Sequence, residues 1–88
     1  MITKKQAQRF LDDIEFGFAI NNLMVEHSPK YEDTECSALY NHLLELDDLE
    51  RKVTAMEQGN MERDDKLIKE YRTALNTMVR ECEKILEQ

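Results

Sequence analysis

Two pairs of acidic residues have the spacing at which carboxylates on a helix bind a divalent metal ion. Glu32 and Glu35 are three residues apart, as are Glu45 and Asp48. Such a pair presents oxygen ligands on one helix face, where magnesium can be held and can activate a water molecule. Both pairs lie on one short segment, and no set of basic residues accompanies them to bind a phosphate. A small metal-dependent hydrolase is therefore only an alternative, and we expect no catalytic residue, no bound metal and no cofactor.

The cysteines and histidines do not have the spacing of a zinc site. Zinc sites draw on close pairs such as Cys-x-x-Cys, and this chain has none. Cys36 and His42 would fall on different faces of a helix, and adding His27 supplies no close pair. Cys36 and Cys82 both fall on apolar stripes, so we expect buried free thiols rather than a disulfide or a metal site.

The acidic residues are concentrated in the middle of the chain. Residues 31–50 contain seven Asp and Glu and no Lys or Arg, so this stretch accounts for the net charge of −7. Acids near the start of a helix complement its dipole, which explains the first three. We expect the other four acids to be either solvated surface residues or a negative patch that binds a basic partner: Glu45, Asp47, Asp48 and Glu50. One alternative function is an acidic inhibitor that occupies the nucleic-acid-binding surface of its target. Direct nucleic-acid binding is not expected, because no face is rich in Lys and Arg.

Capping and breaking residues divide the chain into three predicted helices. Thr3 followed by Gln6 is a capping box, and Pro29 stops the helix that begins there. Gly59 suits the left-handed position after a helix, and Asn60 suits the cap of the next one. The predicted helices cover about residues 3–26, 34–58 and 61–86, within a single domain of residues 1–88.

Apolar periodicity supports this division. Spacings of three and four residues recur in the second and third helices, as in bundle helices and not in strands. Short connections between them favour an all-α, three-helix antiparallel bundle. Two alternatives remain: a strand around Gly17, where apolar residues alternate, and a single rod in which the last two helices fuse through Gly59. In the second helix Glu50 interrupts the apolar stripe. The third helix has the most regular stripe: Ile68, Tyr71, Leu75, Met78, Cys82 and Ile85.

The first helix carries apolar residues on two faces. Its predicted core face comprises Ala7, Phe10, Leu11, Ile14, Phe18 and Val25. At about 100° per residue, a second stripe gathers on the opposite side: Phe16, Ile20, Leu23 and Met24. Two neighbouring helices cannot cover both faces in so small a bundle, so we predict that the second stripe is an interface, and specifically that of a symmetric homodimer. The alternative is a central first helix whose two faces are both core.

The sequence predicts a protein that works by binding another protein. Gly17 and two asparagines interrupt the longest apolar tract, which argues against a membrane span, and the first residues lack the apolar core of a signal peptide. We therefore expect a cytoplasmic helical interaction module, a regulator or inhibitor of a larger partner, that performs no catalysis and makes no membrane contact. No motif identifies that partner.

Overall fold

The computed structural model describes residues 2–27 and 38–88. In this part of the chain all regular structure is α-helical, as the periodicity predicted, and no strand forms around Gly17. Four helices follow one another along these residues: α1 (Lys4–Phe16), α2 (Ile20–His27), α3 (Ala38–Glu57) and α4 (Asp65–Glu87). Pro29, Glu32, Glu35 and Cys36 lie outside the described residues, as does the predicted start of the second helix near residue 34.

α1 begins with the predicted capping box. The Thr3 hydroxyl accepts the backbone N–H of Gln6 at 3.1 Å, and the Gln6 side chain accepts the Thr3 N–H at 3.0 Å. These bonds satisfy amide groups that have no partner inside the helix. Ala7 and Phe10 follow within two turns of this cap and are fully buried. The cap therefore fixes where α1 starts and which residues face the core.

α1 ends at the residue before Gly17 instead of continuing to residue 26, so the single first helix predicted from the sequence is wrong. Gly17 has a φ of 92°, a left-handed conformation that glycine adopts without the clash of a Cβ atom. The Phe18 N–H donates to the Asp13 carbonyl at 3.0 Å, which closes a Schellman motif around the glycine. Three non-helical residues, Gly17 to Ala19, separate α1 from α2.

α2 folds back along α1. The guanidinium of Arg9 on α1 lies 3.0 Å from the carboxylate of Glu26 on α2. These positions are seventeen residues apart in sequence, and in one continuous helix this separation would span about 25 Å. The contact therefore shows that the chain reverses direction at Gly17.

The fold-back changes which residues of this segment face inward. Ile20 and Leu23, predicted to form an interface with another molecule, are fully buried within the chain, whereas Phe18 and Val25, predicted to be core, are 44% and 75% exposed. These assignments were wrong because the prediction assumed one continuous helix. It therefore used the rotation of α1 to place residues beyond Gly17. α2 starts with a new rotation, so Ile20 and Leu23 of the second stripe join Ala7 and Phe10 of the first stripe in one core.

α3 and α4 are separate helices, so the fused rod is wrong. Gly59 follows α3 with a φ of 76°, as the sequence predicted. The cap of α4 is Asp64 and not Asn60, so the helix begins later than the predicted residue 61. The Asp64 carboxylate accepts two backbone N–H groups of the first turn at 3.0 and 3.3 Å. A carboxylate at this end also complements the helix dipole.

The four helices form an antiparallel bundle. α1 packs on α2 and α4, and α3 packs on α2 and α4, so the helices enclose one core. Lys4, at the start of α1, bonds the carbonyl of Gln88, just beyond α4. Glu50 in the second half of α3 bonds Tyr71 in the first half of α4. The predicted three-helix bundle therefore gains a fourth member from the fold-back at Gly17 and runs up, down, up and down.

The core is apolar and draws on all four helices. Its largest fully buried side chains are Phe10, Ile20, Leu23, Leu39, Leu43 and Cys82. Cys82 is a free thiol, as predicted, and burial raises its pKa to about 11. Within the described ranges, no helix has both the length and the hydropathy to cross a membrane.

Candidate functional site

The predicted interface stripe is divided between the core and the surface. Ile20 and Leu23 are fully buried within the chain, and Met24 is half-buried at the edge of the core. Phe16 alone is strongly exposed, at 79%. Ile20 and Leu23 are therefore covered by the chain's own helices, because the fold-back gives them an internal partner.

Phe16 has a second exposed aromatic ring beside it. The rings of Phe16 and Phe18 stack with their centroids 5.0 Å apart and their planes at 22°, and we call them the aromatic pair. The pair flanks Gly17 on the turn between α1 and α2, where the Schellman motif fixes the backbone. Phe18 was predicted to lie in the core. The signal for its true position is the glycine between two aromatic residues, which ends the helix and lets both rings point outward.

Glu50 links three helices instead of serving as a free surface charge. One carboxylate oxygen accepts the backbone N–H of Ile20, at the start of α2, at 3.0 Å. The other accepts the hydroxyl of Tyr71, on α4, at 2.8 Å. Burial raises the pKa of Tyr71, and the hydrogen bond to Glu50 raises it further. We call this arrangement the Glu50 junction, and its first bond caps α2 with a side chain from another helix.

The remaining residues of the predicted acidic patch have separate roles. Asp47 is buried and pairs with Arg51 at 3.0 Å, and the exposed Asp48 pairs with Lys52 at 3.1 Å. Glu45 is exposed and makes no ion pair with any residue that the structure describes. With Glu50 in its junction, the four acids do not act as one set of free charges.

A charged cluster holds α2 against α1. Arg9 donates two hydrogen bonds to the carboxylate of Glu26, at 3.0 and 3.2 Å, and lies 3.5 Å from Asp13. The bonds from Arg9 lower the pKa of Glu26. Burial raises the pKa of Asp13, and the neighbouring Glu26 carboxylate raises it further. The pKa values of these two neighbouring carboxyl groups are therefore shifted in opposite directions, and Arg9 stabilises the charged form of Glu26.

A groove of about 190 Å³ lies between α3 and α4, and we call it the α3–α4 groove. Its inner lining is apolar: Leu46 and Met78 are buried, and Ala74 is half-buried. Exposed polar side chains form its edge: His42, Glu45 and Glu81. The groove therefore combines an apolar floor with one carboxylate from each helix.

The alternative metal site predicted from paired acids is not assembled by the residues that can be located. In the described ranges, no three side chains of His, Cys, Asp or Glu lie close enough together to hold a metal ion. Asp48 is paired with Lys52, and Glu45 lines the α3–α4 groove. Glu32 and Glu35 lie outside the described residues, as does Cys36 of the zinc set.

Comparison with known proteins identifies no protein family, no curated protein and no solved structure that matches this chain. The candidate sites therefore rest on geometry. The Glu50 junction and the cluster around Arg9 connect helices to one another. The aromatic pair and the α3–α4 groove face solvent, so another molecule can reach both of them.

Proposed function

We propose that this chain is a non-catalytic helical interaction module that binds a larger protein through the aromatic pair. The observation that carries the proposal is the exposure of Phe16, at 79%, in a ring stacked on Phe18. Single exposed apolar residues are common on protein surfaces, but aromatic side chains on a fixed backbone are the typical anchors of protein interfaces. Glu50 and the Arg9–Glu26 pair connect helices, and Asp47 and Asp48 are paired within α3, which supports binding over catalysis.

The aromatic pair is well prepared to act as an anchor. Phenylalanine loses little side-chain freedom on binding, and the Schellman motif at Gly17 already fixes the backbone. Covering both rings would remove on the order of 200 Å² of apolar surface, worth roughly 5 kcal/mol before the entropic cost of association. Loss of one ring from such an anchor is therefore expected to weaken binding by about thirtyfold.

We propose that a different protein, and not a second copy of this chain, covers the aromatic pair. The homodimer predicted from the sequence relied on Ile20 and Leu23, which are buried within the chain. A stable interface covers about 800 Å² on each partner, far more than two rings supply. Each copy also carries a net charge of −7, which opposes self-association. We propose that the module acts in the cytoplasm as a regulator or inhibitor, since the free thiol of Cys82 suits a reducing compartment.

The experiment that tests this proposal is quantitative capture from native lysate with two immobilised forms of the protein. The first is wild type, and the second is the double variant Phe16→Ala, Phe18→Ala. We expect the variant to keep its melting temperature, because both rings are exposed, and to lose the captured protein. Equal capture by both forms contradicts the role of the aromatic pair. The matched control is Leu44→Ala, which removes a side chain that is also 44% exposed but lies on α3.

Light scattering over a hundredfold concentration range separates the two possible occupants. A concentration-dependent dimer that Phe16→Ala abolishes would assign the aromatic pair to self-association and contradict the proposed larger partner. A monomer throughout is the result we expect.

A further inference from the structure

The α3–α4 groove has two carboxylates that the fold does not use. Glu45 on α3 and Glu81 on α4 line it, and both are exposed. Neither makes an ion pair with a residue in the described ranges. Asp47 and Asp48, on the same helix, are instead paired with Arg51 and Lys52. Within the described part of the chain, the groove therefore has two negative charges without an ion-pair partner, one from each of two helices.

The floor of the groove is suited to an aliphatic chain. Leu46 and Met78 are only 2% and 3% exposed, and the half-buried Ala74 adds a small apolar side chain to the lining. An occupant with methylene groups would cover this apolar lining, while a cationic end would reach the carboxylates. Lysine and arginine side chains have this two-part chemistry.

The groove is small compared with the pockets that hold cofactors and drug-sized ligands. Its volume of about 190 Å³ is below the roughly 300 Å³ at which pockets for cofactors and drug-sized ligands begin. Phosphate-bearing ligands are disfavoured by the two carboxylates. A second depression of about 300 Å³, lined by Asp47, Glu50 and Arg51, lacks this chemistry because its acids already have partners.

We propose that the α3–α4 groove binds a lysine or arginine side chain of a protein partner, with Glu45 and Glu81 contacting the cationic group. This site is separate from the aromatic pair and does not depend on it. The net charge of −7 adds long-range attraction for a basic partner. An interface that used both features would combine an apolar anchor with a charge-selective pocket.

The test is an NMR titration of isotope-labelled protein with Nα-acetyl-lysine amide, followed through the methyl groups of Ala74 and Met78. The comparison ligand is Nα-acetyl-norleucine amide, which has a similar aliphatic chain without the ammonium group. We expect saturable shifts with the lysine compound and roughly tenfold weaker binding of the norleucine compound, because two surface ion pairs are lost. Higher ionic strength should weaken only the lysine compound. Equal binding of the two ligands, or no saturable shift up to 50 mM of the lysine compound, overturns the proposal.

Two matched variants separate the groove from general electrostatics. The double variant Glu45→Gln, Glu81→Gln should bind the lysine compound about tenfold more weakly. The control variant Glu62→Gln, Glu70→Gln makes the same change in net charge at exposed sites away from the groove and should bind like wild type. Equal weakening in both variants would show that only net charge matters and would refute the site. Phe16→Ala should leave this titration unchanged, so failure of the groove and failure of the aromatic pair are distinguishable.

Discussion

Replacing Glu50 by alanine tests whether one carboxylate holds three helices together. The substitution removes the acceptor of the Ile20 N–H, at 3.0 Å, and of the Tyr71 hydroxyl, at 2.8 Å. Hydrogen bonds to a charged group contribute about 1.5–3 kcal/mol each, and partial exposure reduces both. We therefore expect Glu50→Ala to lower the free energy of unfolding by about 3 kcal/mol. The total free energy of unfolding of a domain of this size is only about 5–15 kcal/mol, so a loss of this size would be easy to measure.

Two further variants divide this loss between the bonds. Tyr71→Phe removes only the bond on α4 and should cost about 1 kcal/mol. Glu50→Gln keeps an amide oxygen for the Ile20 N–H and should fall between wild type and Glu50→Ala. Urea denaturation followed by circular dichroism at 222 nm measures all of them. Glu70→Ala, an exposed acid on α4, is the control and should stay within about 0.5 kcal/mol of wild type. If Glu50→Ala is no more destabilising than this control, the Glu50 junction does not hold the helices.

Three other predictions follow from the backbone and the buried groups. Gly17→Ala should lower the free energy of unfolding by about 1–2 kcal/mol in urea titrations. No atom crowds the site, so the cost comes from the left-handed φ alone, and Gly17→Asn should cost less. In a Cys36→Ser variant at pH 8, Cys82 of the folded protein should react with a disulfide reagent about a hundredfold more slowly than in urea. The reason is that folding raises the pKa of Cys82 from 9.0 to about 11, so fewer thiolates form. Equal rates would contradict the burial of Cys82. Tyr71 has a higher pKa in the folded protein than in the unfolded chain. The free energy of unfolding should therefore fall as pH rises above 10.0, and Tyr71→Phe should show a smaller fall in the same titration.

The sequence predicted the helical class and the start of α1 because both depend on local signals. The Thr3–Gln6 capping box and the stripe of α4 need no knowledge of the rest of the chain. The break at Gly17 was missed because a single glycine inside an apolar helical pattern costs only about 1 kcal/mol, so it does not by itself end a helix. Packing of α2 on α3 favours the fold-back, and that contact joins residues far apart in sequence.

The candidate sites were predicted less well, for related physical reasons. Phe16 was identified as an interface residue and is exposed, but Ile20 and Leu23 were assigned to the same surface from a helical phase that the break resets. Glu50 was recognised as an interruption of the apolar stripe, although its partners come from α2 and α4 and leave no local signal. The α3–α4 groove was not predicted, because Glu81 lies in a helix whose charges alternate along the sequence and only its packing on α3 sets it beside Glu45.

The pairing of the first helix with the last has a consequence for how the protein is made. α1 is complete at Phe16, but α4 begins only at Asp65, so a ribosome synthesises most of the chain before α1 meets its neighbour. During that interval α1 has only α2 for cover, through the contact of Arg9 with Glu26. The face of α1 that packs on α4 stays open until α4 arrives, and exposed apolar surface of this kind attracts chaperones and promotes aggregation. A nascent chain that stops at the turn after α3 therefore cannot close its core, and assembly of the bundle is completed only after the last helix has left the ribosome.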